Sequence, residues 1–143
     1  MKGKVVVMDT LRFRGNKPER QNETDAGADL VTAESFTLSP GEHKIIETGT
    51  AIDLPPGFVG LIASRSGLGT MGVRVRNSVG VIDTSYKSDM KVCLENVSKV
   101  THKFEVGDRI AQLLVVPIVT PKFTKGKGAW PKEERGGFGS SGK

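Results

Sequence analysis

Very little in this chain can cross-link or anchor it. A single cysteine, Cys93, excludes an internal disulfide and fits a reducing compartment. It sits in an apolar, strand-like run, which marks it as a small buried side chain rather than a nucleophile. No apolar run approaches the roughly 18 residues of a membrane-spanning helix. The start "MKGKVVVMD" is basic, but its apolar stretch before Asp9 is too short for a signal peptide. These absences lead to the expectation of a soluble, cytoplasmic protein. Zinc-ligand spacing, a helix-turn-helix pattern and an aromatic RNA-binding motif are all missing. The net charge of +5, from 21 basic and 16 acidic residues, therefore fits a polyphosphate substrate or a soluble surface as well as nucleic acid. Nucleic acid is not expected as the main partner. Aromatic residues make up only 6% and hydrophobic residues 36%, a thin supply for a self-sufficient helical bundle.

What the chain does have is turns. Its 143 residues contain 18 glycines and 7 prolines, and the length suits one domain that buries roughly two-thirds of its unfolded surface. Strand-like runs recur between turn signals: "KVVVM", "HKIIETGTAIDL" after "SPGE", "FVGLIAS" after "PPG", then "GVRVRN", "VGVID", "MKVCLENV" and "IAQLLVVPIV". In "GVRVRN", Val73 and Val75 alternate with Arg74 and Arg76, the mark of a strand with one wet face. No helical stripe runs for ten residues. The expected class is all-β, a jelly-roll-like sandwich or barrel. So thin a core would be completed by burial against other subunits.

The character changes after residue 116. Residues 1–116 read as a β core and 117–143 as a Gly- and Lys-rich tail, with basic residues at Lys122, Lys125, Lys127 and Lys132. Phe123, Trp130 and Phe138 are aromatics that a purely solvating tail rarely carries. The segment "GFGSSGK" at 137–143 has the spacing of a phosphate-binding loop. It lacks the following Ser or Thr and a helix, so a P-loop is excluded.

Five short, polar, glycine-containing stretches punctuate the apolar runs. They are "DAGADL" (25–30), "SRSGL" (64–68), "NSVGVIDTSYKSD" (77–89), "GDRIAQL" (107–113) and "RGGFGSSG" (135–142). Singly each is a common turn. Together, in this order from about residue 25 to the end, they resemble the motif series of the trimeric dUTPases. That resemblance implies a homotrimer of jelly-roll, β-clip-type subunits hydrolysing dUTP to dUMP and pyrophosphate with Mg²⁺, which keeps uracil out of DNA and supplies dUMP for thymidylate synthesis. Each active site would lie between subunits, closed by the C-terminal arm of one of them.

The resemblance also implies roles for individual residues. Asp83 matches the catalytic aspartate, the general base that orients and deprotonates the attacking water. Tyr86 matches the ring that packs on deoxyribose and leaves no room for a 2′-hydroxyl. Asn77, Gly80, Val81 and Lys91 belong to the hairpin that forms the uracil pocket. Backbone groups there can read uracil because its N3–H donor and O4 acceptor are inverted in cytosine, a mismatch that discriminates by roughly 10⁴-fold at best. Arg65, Ser66 and Gly67 match the phosphate-contacting turn, where a planar guanidinium fork suits phosphate. Gln112 matches the glutamine donor, and Asp29 the acid associated with Mg²⁺, mostly through water. In the arm, Arg135 matches the γ-phosphate arginine and Phe138 the aromatic over uracil. Gly139, Ser140 and Ser141 supply anion-wrapping donors.

Departures from the family pattern are few. The arm is two residues shorter between Arg135 and Phe138, about 7 Å of extended chain. Ser88 replaces a common glycine, a cost of about 1 kcal/mol if the turn needs a positive φ. Ser64 stands for a proline, and Ala28 for a larger side chain. Two other readings share the pocket. One is a dCTP deaminase, for which Glu95 offers a carboxylate. The other is a nucleotide-gated regulatory protein that presents its arm to a protein partner.

Overall fold

The longest apolar run of the sequence forms its longest strand, β11 (Arg109–Pro117). In the computed structural model, which describes residues 8–133 and Gly137, ten further strands precede it. They are β1 (Phe13–Gly15), β2 (Ala28–Val31), β3 (Phe36–Leu38), β4 (His43–Glu47), β5 (Thr50–Ile52), β6 (Phe58–Ala63), β7 (Val73–Val75), β8 (Gly80–Ile82), β9 (Lys91–Asn96) and β10 (His102–Phe104). One short helix, α1 (Ser66–Thr70), follows β6. The all-β jelly-roll class expected from the sequence is the class observed. Among the described residues no helix is long and apolar enough to cross a membrane.

Every pairing is antiparallel. A four-stranded sheet runs β2-β11-β6-β8 and a three-stranded sheet β4-β9-β7, with β1-β5 and β10-β3 as two-stranded pairs. The run "HKIIETGTAIDL" makes two strands instead of one because the chain turns at Gly49, whose φ is +66°. That turn passes it from the β9 partnership to the β1 partnership. Gly15 faces the same turn so closely that a Cβ on it would meet the Gly49 carbonyl oxygen, so no larger residue fits without movement. The opening strand expected at "KVVVM" falls, Met8 apart, outside the described residues.

Alternation decides what is buried. Val73 and Val75 of β7 are buried while Arg74 points out and donates to Glu95 at 2.7 Å. On β9, Val92 and Leu94 point inward. Cys93 is half-buried on the other face opposite Ile45, a correction to its expected burial. Leu30, Ile46, Ile62, Ile82, Leu94 and Ile110 belong to one continuous core cluster drawn from both larger sheets. The β3–β10 pair closes one side with Phe36 stacked on Phe104, ring centres 4.6 Å apart. Beyond β11, residues 118–133 carry no strand, and Phe123 and Trp130 are 96% and 79% exposed.

One polar side chain is built into this core. Asn96, fully buried, donates to the carbonyls of Leu38 (2.9 Å) and Val100 (2.7 Å) and accepts from the Ser98 amide (2.9 Å) and hydroxyl (2.6 Å). All its hydrogen-bonding capacity is used, so its removal leaves partners without replacement. Asn96→Ala should lower stability by about 2–3 kcal/mol, read as a fall in the urea midpoint at unchanged m-value. An exposed control, Lys103→Ala, should stay within about 0.5 kcal/mol.

Candidate active site

Strand β11 carries Gln112 between two neighbours: across one edge it faces Asp29 of β2, across the other Ala63 of β6. Gln112 Nε2 donates to the Ser64 carbonyl at 2.9 Å, which ties the amide to the chain just before Arg65. Gly27 packs so close that any Cβ there would collide with the Gln112 amide. Asp29 is only 15% exposed, with Arg65 Nε at 3.2 Å and Arg109 Nη1 at 3.6 Å from its carboxylate oxygens. Arg65 also donates to the Arg109 carbonyl at 3.3 Å. A register shift between Arg109 and Ala111 lets consecutive residues Ile110 and Ala111 both face the core, and it turns Arg109 toward Asp29.

The result is an open cavity of about 360 Å³ lined by Asp29, Arg65, Ser66 and Gln112, with Gln21 and Asp25 at its rim. Gly67 is exposed beside Ser66 at the start of α1. Two guanidiniums and an amide donor around one half-buried carboxylate suit an anion that draws the arginines away from Asp29. Among the described residues no three His, Cys, Asp or Glu side chains cluster to hold a metal by themselves. The donor set therefore fits a hydrated cation bound chiefly through the oxygens of a ligand, with Asp29 as its one protein carboxylate.

A second cavity, about 250 Å³, brings together Asn77, Gly80 and Lys91 with the apolar walls of Ile45, Ile62, Val75 and Val92. A Cβ on Gly80 would stand 3.1 Å from that of Ile62. Val81, next along β8, points away and is 59% exposed. The backbone strain expected at Ser88 is absent there and occurs instead at Ser78, the one described non-glycine residue with positive φ (67°). Ser64, in the place of a proline, uses its hydroxyl to accept the Val75 amide at 2.8 Å, a bond that proline cannot replace.

Asp83 and Tyr86 stand on the turn after β8. The Tyr86 amide donates to the Asp83 carbonyl at 3.0 Å, and the Tyr86 hydroxyl donates to the Asp89 carbonyl at 2.6 Å. Both side chains are exposed. Sequence reasoning passed over what lies beneath them. Lys87 Nζ donates to Asp53 Oδ1 at 2.7 Å, and Arg12 pairs with the other oxygen of the same carboxylate. Asp53 gives no local signal, being 34 residues from Lys87.

Topology separates this turn from the cationic cavity. Ile82 pairs with Gly60 of β6, whereas Arg65 lies beyond the far end of that strand. At about 3.3 Å per residue, Asp83 is roughly 15–20 Å from Arg65 along the sheet. The predicted site residues therefore gather into separate groups within one chain. Arg135, Phe138, Gly139, Ser140 and Ser141 lie outside the described residues.

Comparison with known proteins gives the family of the chain. The dUTPase family model matches residues 14–142. The deoxyuridine 5′-triphosphate nucleotidohydrolase of Corynebacterium diphtheriae is 44% identical over 129 residues, covering 87% of this chain and 84% of its own. That of Mycolicibacterium gilvum is 41% identical over 133 residues, covering 87% and 86%. Among solved structures, a variant dUTPase of Staphylococcus bacteriophage 80alpha with dUpNHpp superposes with a TM-score of 0.82 at 32% identity, over 94% of this chain and 99% of that one. The dUTPase of S. aureus phage phi11, a variant described as coordinating a structural Mg(II) ion, does so at 0.77 and 30%, over 84% and 98%. The chain belongs to the dUTPase family.

The Lys87 and Arg12 contacts hold the Asp53 carboxyl down at about 2, from an ordinary 3.8. Because the folded value is depressed, the stability it confers is present above about pH 4 and is lost as the pH falls through about 2. The melting temperature of Asp53→Asn should therefore lie slightly below wild type at pH 6, the pair being exposed to solvent. The gap should narrow below pH 4 and close near pH 2, as followed by thermal melts across that range.

Proposed function

We propose that this protein hydrolyses dUTP to dUMP and pyrophosphate, with Asp83 as the general base. The observation that carries the reading is the gathering of Asp29, Arg65, Ser66 and Gln112 around one anion-suited cavity, in a chain with the five dUTPase motifs in family order. One water attacks the α-phosphorus, its proton passes to the Asp83 carboxylate, and the bond to the β-phosphate bridging oxygen breaks with pyrophosphate leaving. Arg65, Ser66 and Gln112 take the phosphate charge. Asn77, Gly80, Val81 and Lys91 form the uracil pocket, and Tyr86 rejects the 2′-hydroxyl. Asp29 would hold hydrated Mg²⁺, which neutralises phosphate charge when bound.

The separation of Asp83 from Arg65 in one chain supports an active site assembled between copies, in a homotrimer. Residues 117–143 act as the closing arm of residues 1–116, with Arg135, Phe138, Gly139, Ser140 and Ser141 on the nucleotide. The exposure of Phe123 and Trp130 suits aromatics whose partners belong to another copy. The arrangement of Glu95 speaks against deamination of dCTP, since Arg74 at 2.7 Å and Arg76 at 3.6 Å hold its carboxylate on the outer face. A regulatory role beside catalysis would use the same pocket. The likeness to a phage dUTPase described as controlling transfer of virulence genes supports that addition.

Pyrophosphate release with Mg²⁺ should be confined to dUTP, against dCTP, dTTP and UTP. Asp83→Asn should lower kcat by about 10²–10⁴-fold while nucleotide binding persists. Ammonia release from dCTP would overturn the reading in favour of a deaminase. Sedimentation should give three times the mass of the chain, and a monomer that is fully active would exclude the shared site.

A further inference from the structure

The turn that carries Asp83 and Tyr86 is exposed along most of its length, from Ser85 through Ser88. Its internal hydrogen bonds, Tyr86 amide to Asp83 carbonyl and Tyr86 hydroxyl to Asp89 carbonyl, shape the turn but attach it to nothing. Attachment comes from the segment after β5. The Leu54 carbonyl accepts both the Thr84 hydroxyl and Lys87 Nζ, the latter at 2.9 Å, so one acceptor holds the turn at two points. Leu54 itself is 1% exposed and locked in the core. Lys87 Nζ reaches on to Asp53 Oδ1 at 2.7 Å. Arg12 fixes Asp53 from the other side, through its guanidinium and through its carbonyl, which accepts the Asp53 amide at 3.0 Å. Two residues on from Arg12, within β1, Arg14 pairs with Asp89 at 3.7 Å, near the far end of the turn.

An isolated exposed ion pair adds little to stability. Its value here is geometric: a general base and a specificity ring displaced by about 1 Å can lose about 10²-fold in rate.

We infer that the Asp53–Lys87 pair, backed by Arg12 and the Leu54 carbonyl, is a positioning device that sets the aim of Asp83 and the stance of Tyr86. The inference rests on the assignment of Asp83 and Tyr86 made above. Asp53 and Lys87 are paired with one another and line neither the Asp29 cavity nor the Asn77 cavity, so loss of the brace should lower turnover and sugar discrimination more than it raises KM.

Steady-state kinetics with dUTP and UTP, Mg²⁺ present, should be measured for wild type, Asp53→Asn, Lys87→Met, the double variant and Lys87→Arg, with melting temperatures alongside. Each single variant should lose about 10-fold in kcat with dUTP, keep KM within about threefold, and lose about 10-fold in preference for dUTP over UTP. The double variant should be no worse than either single, because both remove one device. Lys87→Arg should keep most of the activity. Kinetics and preference within twofold of wild type, even with a lowered melting temperature, would overturn the inference and leave a merely structural pair. Losses that multiply in the double variant would overturn it too. Wild type and Asp83→Asn are the reference: if dUTP is not turned over, or Asp83→Asn still turns it over, the functional reading fails first and the brace with it. If both references behave, the Asp53 and Lys87 results bear on the brace alone.

Discussion

Strand β11 has neighbours on both edges, and side chains on a strand alternate strictly between faces. Its register therefore assigns, in one step, which residues stand against β2 and β6. With Gln112 opposite both Asp29 and Ala63, the amide, the carboxylate and the approach to Arg65 fall in one row across three strands. A slip of one residue would exchange Gln112 for Ala111 or Leu113, sending a polar donor into the core and an apolar side chain into the cavity. The bulge at Ile110 is the local exception that makes the register workable, burying two consecutive side chains and leaving Arg109 directed at Asp29. Gly27 then packs over the row, where a Cβ would push the Gln112 amide from its place.

The electrostatics of that row favour exchange. A carboxylate as buried as Asp29 must be compensated, and two guanidiniums compensate it. On the proposed reading, an arriving polyphosphate would offer those guanidiniums better acceptors, and a hydrated cation would then take over the neutralising of Asp29. The ion pairs seen in the chain keep both guanidiniums ordered beside the cavity, where on that reading a more highly charged ligand would compete with Asp29 for them.

Much of this was legible in the sequence because it is local. Runs such as "FVGLIAS", "GVRVRN" and "MKVCLENV" announce β6, β7 and β9 through β-branched residues and alternation. The short β1, β3 and β10 lack the alternating β-branched residues that mark β7, so they passed as loops, and the pairing of Phe36 with Phe104 spans far too much chain to be inferred locally. Four of the five motifs pointed to residues around the cavities, the fifth lying almost wholly outside the described residues. They could not show that Asp83 and Arg65 lie at opposite ends of one sheet, since that follows from which strands pair. Asp53 was invisible for the same reason: an aspartate before "LPPG" looks like a turn residue until Lys87 and Arg12 are seen on its two oxygens. The expected strain at Ser88 was misplaced because a glycine preference in relatives does not fix φ in this chain, where the left-handed residue is Ser78.

The two-ended layout of the sheet has a genetic meaning. On the proposed reading, a chain that has lost Asp83 still offers an intact Arg65 and Gln112 to its neighbour, and a chain that has lost Arg65 still offers Asp83. Two alleles, each silent alone, would then restore one another when expressed together, since mixed assemblies contain junctions where both good halves meet. Defects within one half would show no such rescue. The pattern of complementation among inactive alleles would thus sort the residues of the protein by the end of the sheet on which they act.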